Sequence, residues 1–131
     1  MHYPSRSHTR ELQESEYKEQ FDRHLSLLAG HGIVDIEVMF GWAWGNAYRN
    51  WVPFPVKLVE IRKEIELAEK STQGKFREDD VYLIIPSREM ELIFCHESDI
   101  HLNFRDDNDL TRVILDHWSK TGLTRSSEKK R

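Results

Sequence analysis

The sequence is poor in the residues that mark several protein classes. It has a single cysteine, Cys95, among 131 residues, so no disulfide can form within the chain and no zinc site can be built from its cysteines alone. A lone thiol is typical of a reducing compartment, and we expect a cytoplasmic protein. With six glycines, four prolines and 38% hydrophobic residues, the composition is that of a folded globular protein and not of a disordered or fibrous one.

The chain also lacks an excess of positive charge and long apolar runs. The net charge is −4, whereas a protein that grips a phosphate backbone usually presents a basic face, so we do not expect nucleic acid as a partner. The N-terminal stretch MHYPSRSHTRELQESEYKEQ lacks the apolar centre of a secretory signal, and no run approaches the roughly 18 apolar residues of a membrane span. We therefore do not expect a membrane partner either.

The length predicts one domain, because domains typically have roughly 100–200 residues. We place it at residues 1–122 and expect the first nine residues or so to be flexible. The remaining residues, 123–131, contain the basic run RSSEKKR, and we expect this tail to be disordered.

Hydrophobic spacing predicts the order helix, hairpin, helix, three-stranded meander, helix. The apolar positions of the three helices are Tyr17, Phe21, Leu25 and Leu28; Leu58, Ile61, Ile65 and Ala68; and Leu110, Val113, Ile114 and Trp118. Alternation from Val34 to Trp44 predicts a strand, and Gly45-Asn46 suits a tight turn that returns the chain through AYRNW. The second helix is predicted to begin near Pro55, a residue that fits a first helical turn.

This order predicts an α+β fold, because antiparallel strands with helices gathered on one side differ from alternating parallel units. We expect an antiparallel sheet of about four to five strands that ends in the meander, with two to three helices packed mainly on one face.

The segment CHESDIH places two histidines and two carboxylates within six residues: His96, Glu97, Asp99 and His101. If Ser98 and Asp99 form the turn between two strands, His96 and His101 face each other with Cβ atoms about 5 Å apart. Two histidines and a carboxylate suit zinc or iron(II). Polar residues at a strand end also need no ligand, and we favour this simpler explanation because so short a motif often matches by chance.

The register just described also places Ile93, Cys95, Leu102 and Phe104 on one apolar face of the meander. A thiol in such surroundings is usually inert, with a raised pKa, so Cys95 is a poor candidate nucleophile. The sequence also has no Gly-x-Ser-x-Gly elbow and no glycine-rich phosphate loop. We find no signature of an enzyme.

The segment MFGWAWGNAYRNW, residues 39–51, is rich in aromatic residues. Trp42 and Trp44 continue the inward positions of the predicted strand, so we assign them to the core. Tyr48, Arg49 and Trp51 follow the turn and are predicted to form a surface for a partner or ligand, since tryptophan, tyrosine and arginine dominate interface hot spots.

Two functions remain from the sequence. We expect a small soluble, non-catalytic protein without a cofactor that binds another protein or forms a homodimer, a broad class that includes toxin-neutralising proteins. The alternative is a small metal-dependent enzyme that holds zinc or iron with His96, His101 and a neighbouring carboxylate.

Overall fold

The computed structural model describes residues 3–41 and 52–124. These residues form three helices and a six-stranded antiparallel sheet, which confirms the predicted α+β class with more strands than expected. In chain order the elements are β1 (Ser5–His8), α1 (Glu14–Gly30), β2 (Asp35–Gly41), β3 (Phe54–Lys57), α2 (Ile61–Lys70), β4 (Asp80–Ile85), β5 (Met90–Phe94), β6 (Ile100–Phe104) and α3 (Asp109–Lys120).

Alternation along the strands divides the sheet into an inner face and an outer face. The inner face consists mainly of buried apolar side chains, among them Val38, Leu83, Leu92 and Leu102. The helices cover this face, and their predicted apolar stripes join the same core: Tyr17, Phe21, Leu25 and Leu28 of α1, Ile61, Ile65 and Ala68 of α2, and Leu110, Ile114 and Trp118 of α3. Side chains of the outer face, such as those of Glu37, Tyr82, Ile93 and His101, are half-buried.

The strands lie in the order β1-β6-β5-β4-β2-β3. The strands β4, β5 and β6 form the predicted meander, and β5 pairs antiparallel with both β4 and β6 as expected. The strand β1 was not predicted, because we expected a flexible segment before the first helix. It extends the sheet beyond β6, from Ser5 paired with Phe104 to His8 paired with His101.

The predicted start of the second helix at Pro55 is wrong. Pro55 lies in β3, which pairs antiparallel with β2 through Glu37, and α2 begins at Ile61. A proline cannot donate a hydrogen bond to a ladder, so it is tolerated on an edge strand such as β3. Leu58 is buried in a short 3₁₀ turn before the helix, where it packs into the core without belonging to the α-helical stripe.

The predicted register between β5 and β6 is also wrong. The structure pairs Phe94 with Ile100 and Met90 with Phe104, so the connection between the strands spans residues 95–99. Ser98 adopts a left-handed backbone conformation, with φ of 69°, and its N–H donates to the Cys95 carbonyl at 2.9 Å. This longer turn places the bulkier apolar residues of β5, which include Met90 and Phe94, on the inner face. The predicted apolar face with Ile93 and Cys95 therefore does not form.

Several predictions fall on residues that the structure does not describe. The Gly45-Asn46 turn, the returning segment AYRNW, Trp42 and Trp44 lie outside the described residues, as does the basic run from Arg125 onward. Leu123 is buried, and Thr124 forms a bridge with Thr9, so described structure continues past residue 122.

Among residues 3–41 and 52–124, none of the helices combines the length and apolar character needed to cross a lipid bilayer.

Candidate metal centre

Four strand ends meet at one end of the sheet and bring polar side chains together. Because the strands are antiparallel, the end of β1 lies beside the start of β6, which in turn lies beside the end of β5 and the start of β4. Among the described residues, this arrangement assembles two groups of three side chains of types that can ligate a metal ion, His8 with Asp99 and His101, and Asp80 with Cys95 and His96. We call them the two-histidine cluster and the thiol cluster.

The two-histidine cluster joins two paired strands and the turn before β6. His8 and His101 are cross-strand partners, and their rings stack with centroids 5.1 Å apart. One carboxylate oxygen of Asp99 lies 3.2 Å from Nε2 of His101, and the other lies 3.5 Å from Nδ1 of His8. One donor atom from each residue lies within 4.8 Å of the other two.

Backbone hydrogen bonds hold this cluster in place. The N–H of Thr9 donates to the Ile100 carbonyl at 2.9 Å, and the N–H of Ile100 donates to the Thr9 hydroxyl oxygen at 3.0 Å. The N–H of Leu12 donates to the Ser98 carbonyl at 2.8 Å. These bonds fix the chain after His8 against the chain around Asp99, so the cluster does not depend on side-chain contacts alone.

The electrostatics favour a charged carboxylate. Burial raises the pKa of Asp99, but the hydrogen bond and charge of His101 oppose it, together with contacts to Cys95 and His8, and the net result is a lowered pKa. The Asp99 side chain is 13% exposed, whereas His8 and His101 are 26% and 33% exposed. The cluster therefore offers an anionic ligand and two imidazoles that solvent can reach.

The thiol cluster lies next along the same end of the sheet. The backbone N–H of His96 donates to a carboxylate oxygen of Asp80 at 2.7 Å, and Nδ1 of its ring lies 2.7 Å from the same oxygen. Sγ of Cys95 is 3.8 Å from that Nδ1. The backbone N–H of Cys95 donates to the Asp99 carbonyl at 2.9 Å, so the two clusters are neighbours.

The thiol cluster is not a nucleophilic triad. Burial raises the pKa of Cys95 to about 12, and the negative charges of Asp80 and Asp99 add to this effect. A relay from acid to base to nucleophile uses opposite nitrogens of the imidazole, whereas Asp80 and Cys95 both approach Nδ1 of His96. The expectation of an inert thiol at Cys95 is consistent with this environment.

The structure separates the histidines that the sequence paired. His101 lies opposite Ile93 on its β5 side, while His96 lies in the turn beside Asp80, so the predicted pairing of His96 with His101 is wrong. Asp99 and His101 do come together, and the cross-strand partner of His101 is His8. The predicted surface residues Tyr48, Arg49 and Trp51 lie outside the described residues.

His8 and Asp80 were missed by sequence reasoning for different reasons. The strand Ser5–His8 contains no apolar residue, so hydrophobic alternation gives no signal there, and the strand forms because its backbone pairs with β6. Asp80 opens β4, 16 positions before His96, and its role depends on the pairing of β4 with β5.

Comparison with protein-family models, with curated proteins and with solved structures found no match for this chain.

Proposed function

We propose that this protein binds a zinc or iron(II) ion through His8, Asp99 and His101, and that the ion serves a metal-dependent reaction. The observation that carries the proposal is the convergence of two imidazoles and a carboxylate on one point from β1, β6 and the turn before β6. Two histidines and one carboxylate form a ligand set suited to both metals.

The distances support this proposal. In a tetrahedral site with bonds of about 2.0–2.1 Å, two ligand atoms lie about 3.3 Å apart. One carboxylate oxygen of Asp99 lies 3.2 Å from Nε2 of His101 and the other lies 3.5 Å from Nδ1 of His8, so each imidazole is close to that spacing from one of the two oxygens. The imidazoles must approach each other, and half-exposed rings can turn to do so.

The exposure of the cluster favours an open site. Structural zinc sites are closed by four protein ligands, whereas catalytic sites keep a position for water or substrate beside three protein ligands. The two-histidine cluster has three ligands and solvent-accessible imidazoles. An ion held there would keep a bound water, whose pKa zinc lowers to about 7, and so generate a nucleophile near neutral pH.

A zinc titration of the purified, metal-free protein tests the proposal. We expect wild type to bind zinc, and His101→Ala to weaken the affinity at this site at least about tenfold, because even loss of an outer-shell partner costs that much. Asp99→Asn should weaken it as well. The matched control is His31→Ala, which removes a half-buried imidazole from the far end of α1 and leaves both clusters intact.

Circular dichroism should show that each variant keeps the wild-type fold. The proposal fails if wild type binds no zinc or iron(II), or if His101→Ala and His31→Ala bind zinc as tightly as wild type.

A second candidate function, protein binding, is favoured by a groove on the outer face of the sheet. The groove has a volume of about 530 Å³ and combines apolar and aromatic side chains with three glutamates; its lining includes Tyr3, Met39, Tyr82, Ile84, Glu37, Glu89 and Glu91. Burial raises the pKa of Tyr3, and the negative charges of the three glutamates raise it further. The groove is therefore an acidic site with an aromatic wall, and the partner that complements it is a positively charged protein segment.

Binding of a short lysine- and arginine-rich peptide tests this second candidate. Glu91 accepts a hydrogen bond from Asn103, and Glu89 pairs with Arg105, so Glu37→Gln is the cleanest removal of groove charge. We expect salt-sensitive binding that Glu37→Gln weakens and that the exposed α1 control Glu19→Gln leaves unchanged. Equal binding by the two variants, or no binding by wild type, would rule out this use of the groove.

A further inference from the structure

The thiol cluster has a donor set different from that of its neighbour. Asp80 supplies a carboxylate, His96 an imidazole and Cys95 a sulfur, and one donor atom of each lies within 4.8 Å of the others. The Asp80 carboxylate is 14% exposed and the His96 ring 31% exposed, while Cys95 is 9% exposed. The sulfur thus lies beneath two donors that solvent can reach.

We propose that Asp80, Cys95 and His96 form a second metal site, which binds zinc through a thiolate, an imidazole and a carboxylate. Cysteine, histidine and aspartate are all residue types that zinc accepts, and a sulfur ligand distinguishes this site from the neighbouring nitrogen and oxygen site. The inference uses none of the residues that carry the proposed function, so either site can exist without the other.

The distances fit such a site. With bonds of about 2.3 Å to sulfur and about 2.0–2.1 Å to nitrogen, a tetrahedral ion separates the two donors by about 3.6 Å. Sγ of Cys95 lies 3.8 Å from Nδ1 of His96. The 2.7 Å contact between Nδ1 and Asp80 must lengthen, because the ion takes the place of the proton that these two atoms share.

The protons balance in a simple way. A zinc ion that enters displaces the thiol proton of Cys95, which passes to solvent, while the neutral imidazole of His96 binds through Nδ1 and carries its single proton on Nε2. Asp80 is then a ligand to the ion where it was the acceptor of a hydrogen bond. The backbone N–H of His96 continues to donate to Asp80, which orients the carboxylate toward the site in the manner of an outer-shell contact.

The ordering of the turn supports a preformed site. The N–H of Cys95 donates to the Asp99 carbonyl, and the N–H of Ser98 donates to the Cys95 carbonyl, each at 2.9 Å. The hydroxyl of the buried Tyr17 also donates to the Cys95 carbonyl at 3.3 Å. These bonds hold the backbone of Cys95 from both sides, so little conformational entropy remains to be lost when an ion binds.

Cobalt(II) titration of the reduced protein tests the proposal, because a thiolate bound to cobalt(II) gives a near-ultraviolet charge-transfer band that imidazole and carboxylate ligands do not give. We expect this band in wild type and in His101→Ala, which disables only the neighbouring site. Cys95→Ser and His96→Ala should lose the band or weaken it strongly, and added zinc should abolish it in wild type by displacing cobalt.

The inference is overturned if wild type saturated with cobalt(II) shows no thiolate band, or if the band persists in Cys95→Ser. This readout needs no variant to fold, since wild type alone decides the first outcome. Failure of the proposed function would be seen separately, in the zinc titration, as an affinity that His101→Ala does not change.

Discussion

Gly74 shows how closely a loop residue packs against the core. A Cβ atom added at Gly74 would lie 2.9 Å from Cε2 and 3.0 Å from Cζ of Phe40, and Phe40 is only 1% exposed. Real Cβ atoms do not approach carbon so closely, so the ring or the loop would have to move. The absence of a side chain is thus what allows the loop before β4 to lie against β2.

Gly74→Ala should therefore destabilise the protein by about 1–3 kcal/mol, the usual loss when a packed core is overfilled. Chemical denaturation measures the change. Gly30→Ala is the matched control, since no atom lies within 4 Å of its added Cβ and alanine favours the helix by up to about 1 kcal/mol. If the two variants are equally stable, the loop does not pack on Phe40 as described.

The helices α1 and α3 are joined by a buried polar contact. His24 is 0% exposed; its Nε2 accepts a hydrogen bond from Nε1 of Trp118 at 2.9 Å, and its Nδ1 donates to the Gln20 carbonyl at 2.6 Å. These two hydrogen bonds can form together only when the ring is neutral, because one nitrogen must donate and the other must accept. Burial accordingly lowers the pKa of His24 to about 4, against 6.5 in the unfolded chain.

Stability should fall when the pH drops from 6.5 to 4. Above pH 6.5 His24 is neutral in both the native and the unfolded protein. Between pH 6.5 and 4 the unfolded chain binds a proton at His24 that the native state does not bind. The accumulated loss of unfolding free energy is on the order of 3 kcal/mol. Urea denaturation at several pH values measures it.

His24→Gln should flatten this pH dependence, because glutamine can still accept a hydrogen bond from Trp118 but does not titrate. Burial also lowers the pKa of His117, and His117 is present in both proteins, so the change in slope reports mainly the loss of His24. Identical slopes for wild type and variant would mean that His24 is not held neutral.

The elements differ in how far the sequence predicts them. The helix stripes, such as Tyr17 to Leu28, were predicted because the 3.6-residue period is strong where one face meets a core. The register of β6 was not, because two alignments both paired apolar residues, and the structure adopts the one with a five-residue connection in which Ser98 is left-handed. The site depended on that register and on β1, whose four residues carry no hydrophobic signal.

At the scale of the whole molecule, the sheet gives its two faces different roles. The inner face and the helices form the core that stabilises the fold. The outer face carries the acidic groove, with His8 and His101 of the two-histidine cluster at one end. Because the cluster residues belong to β1, β6 and the turn before β6, the site exists only when the sheet is complete, so metal binding should add to the stability of the folded state.

The most direct measurement is a crystal structure of the protein grown with zinc, with anomalous scattering recorded at the zinc edge. We predict an anomalous peak about 2.0–2.2 Å from a nitrogen of His8, a nitrogen of His101 and a carboxylate oxygen of Asp99. A map with no peak among these three residues, in crystals where zinc is present in excess, would contradict the proposed metal site.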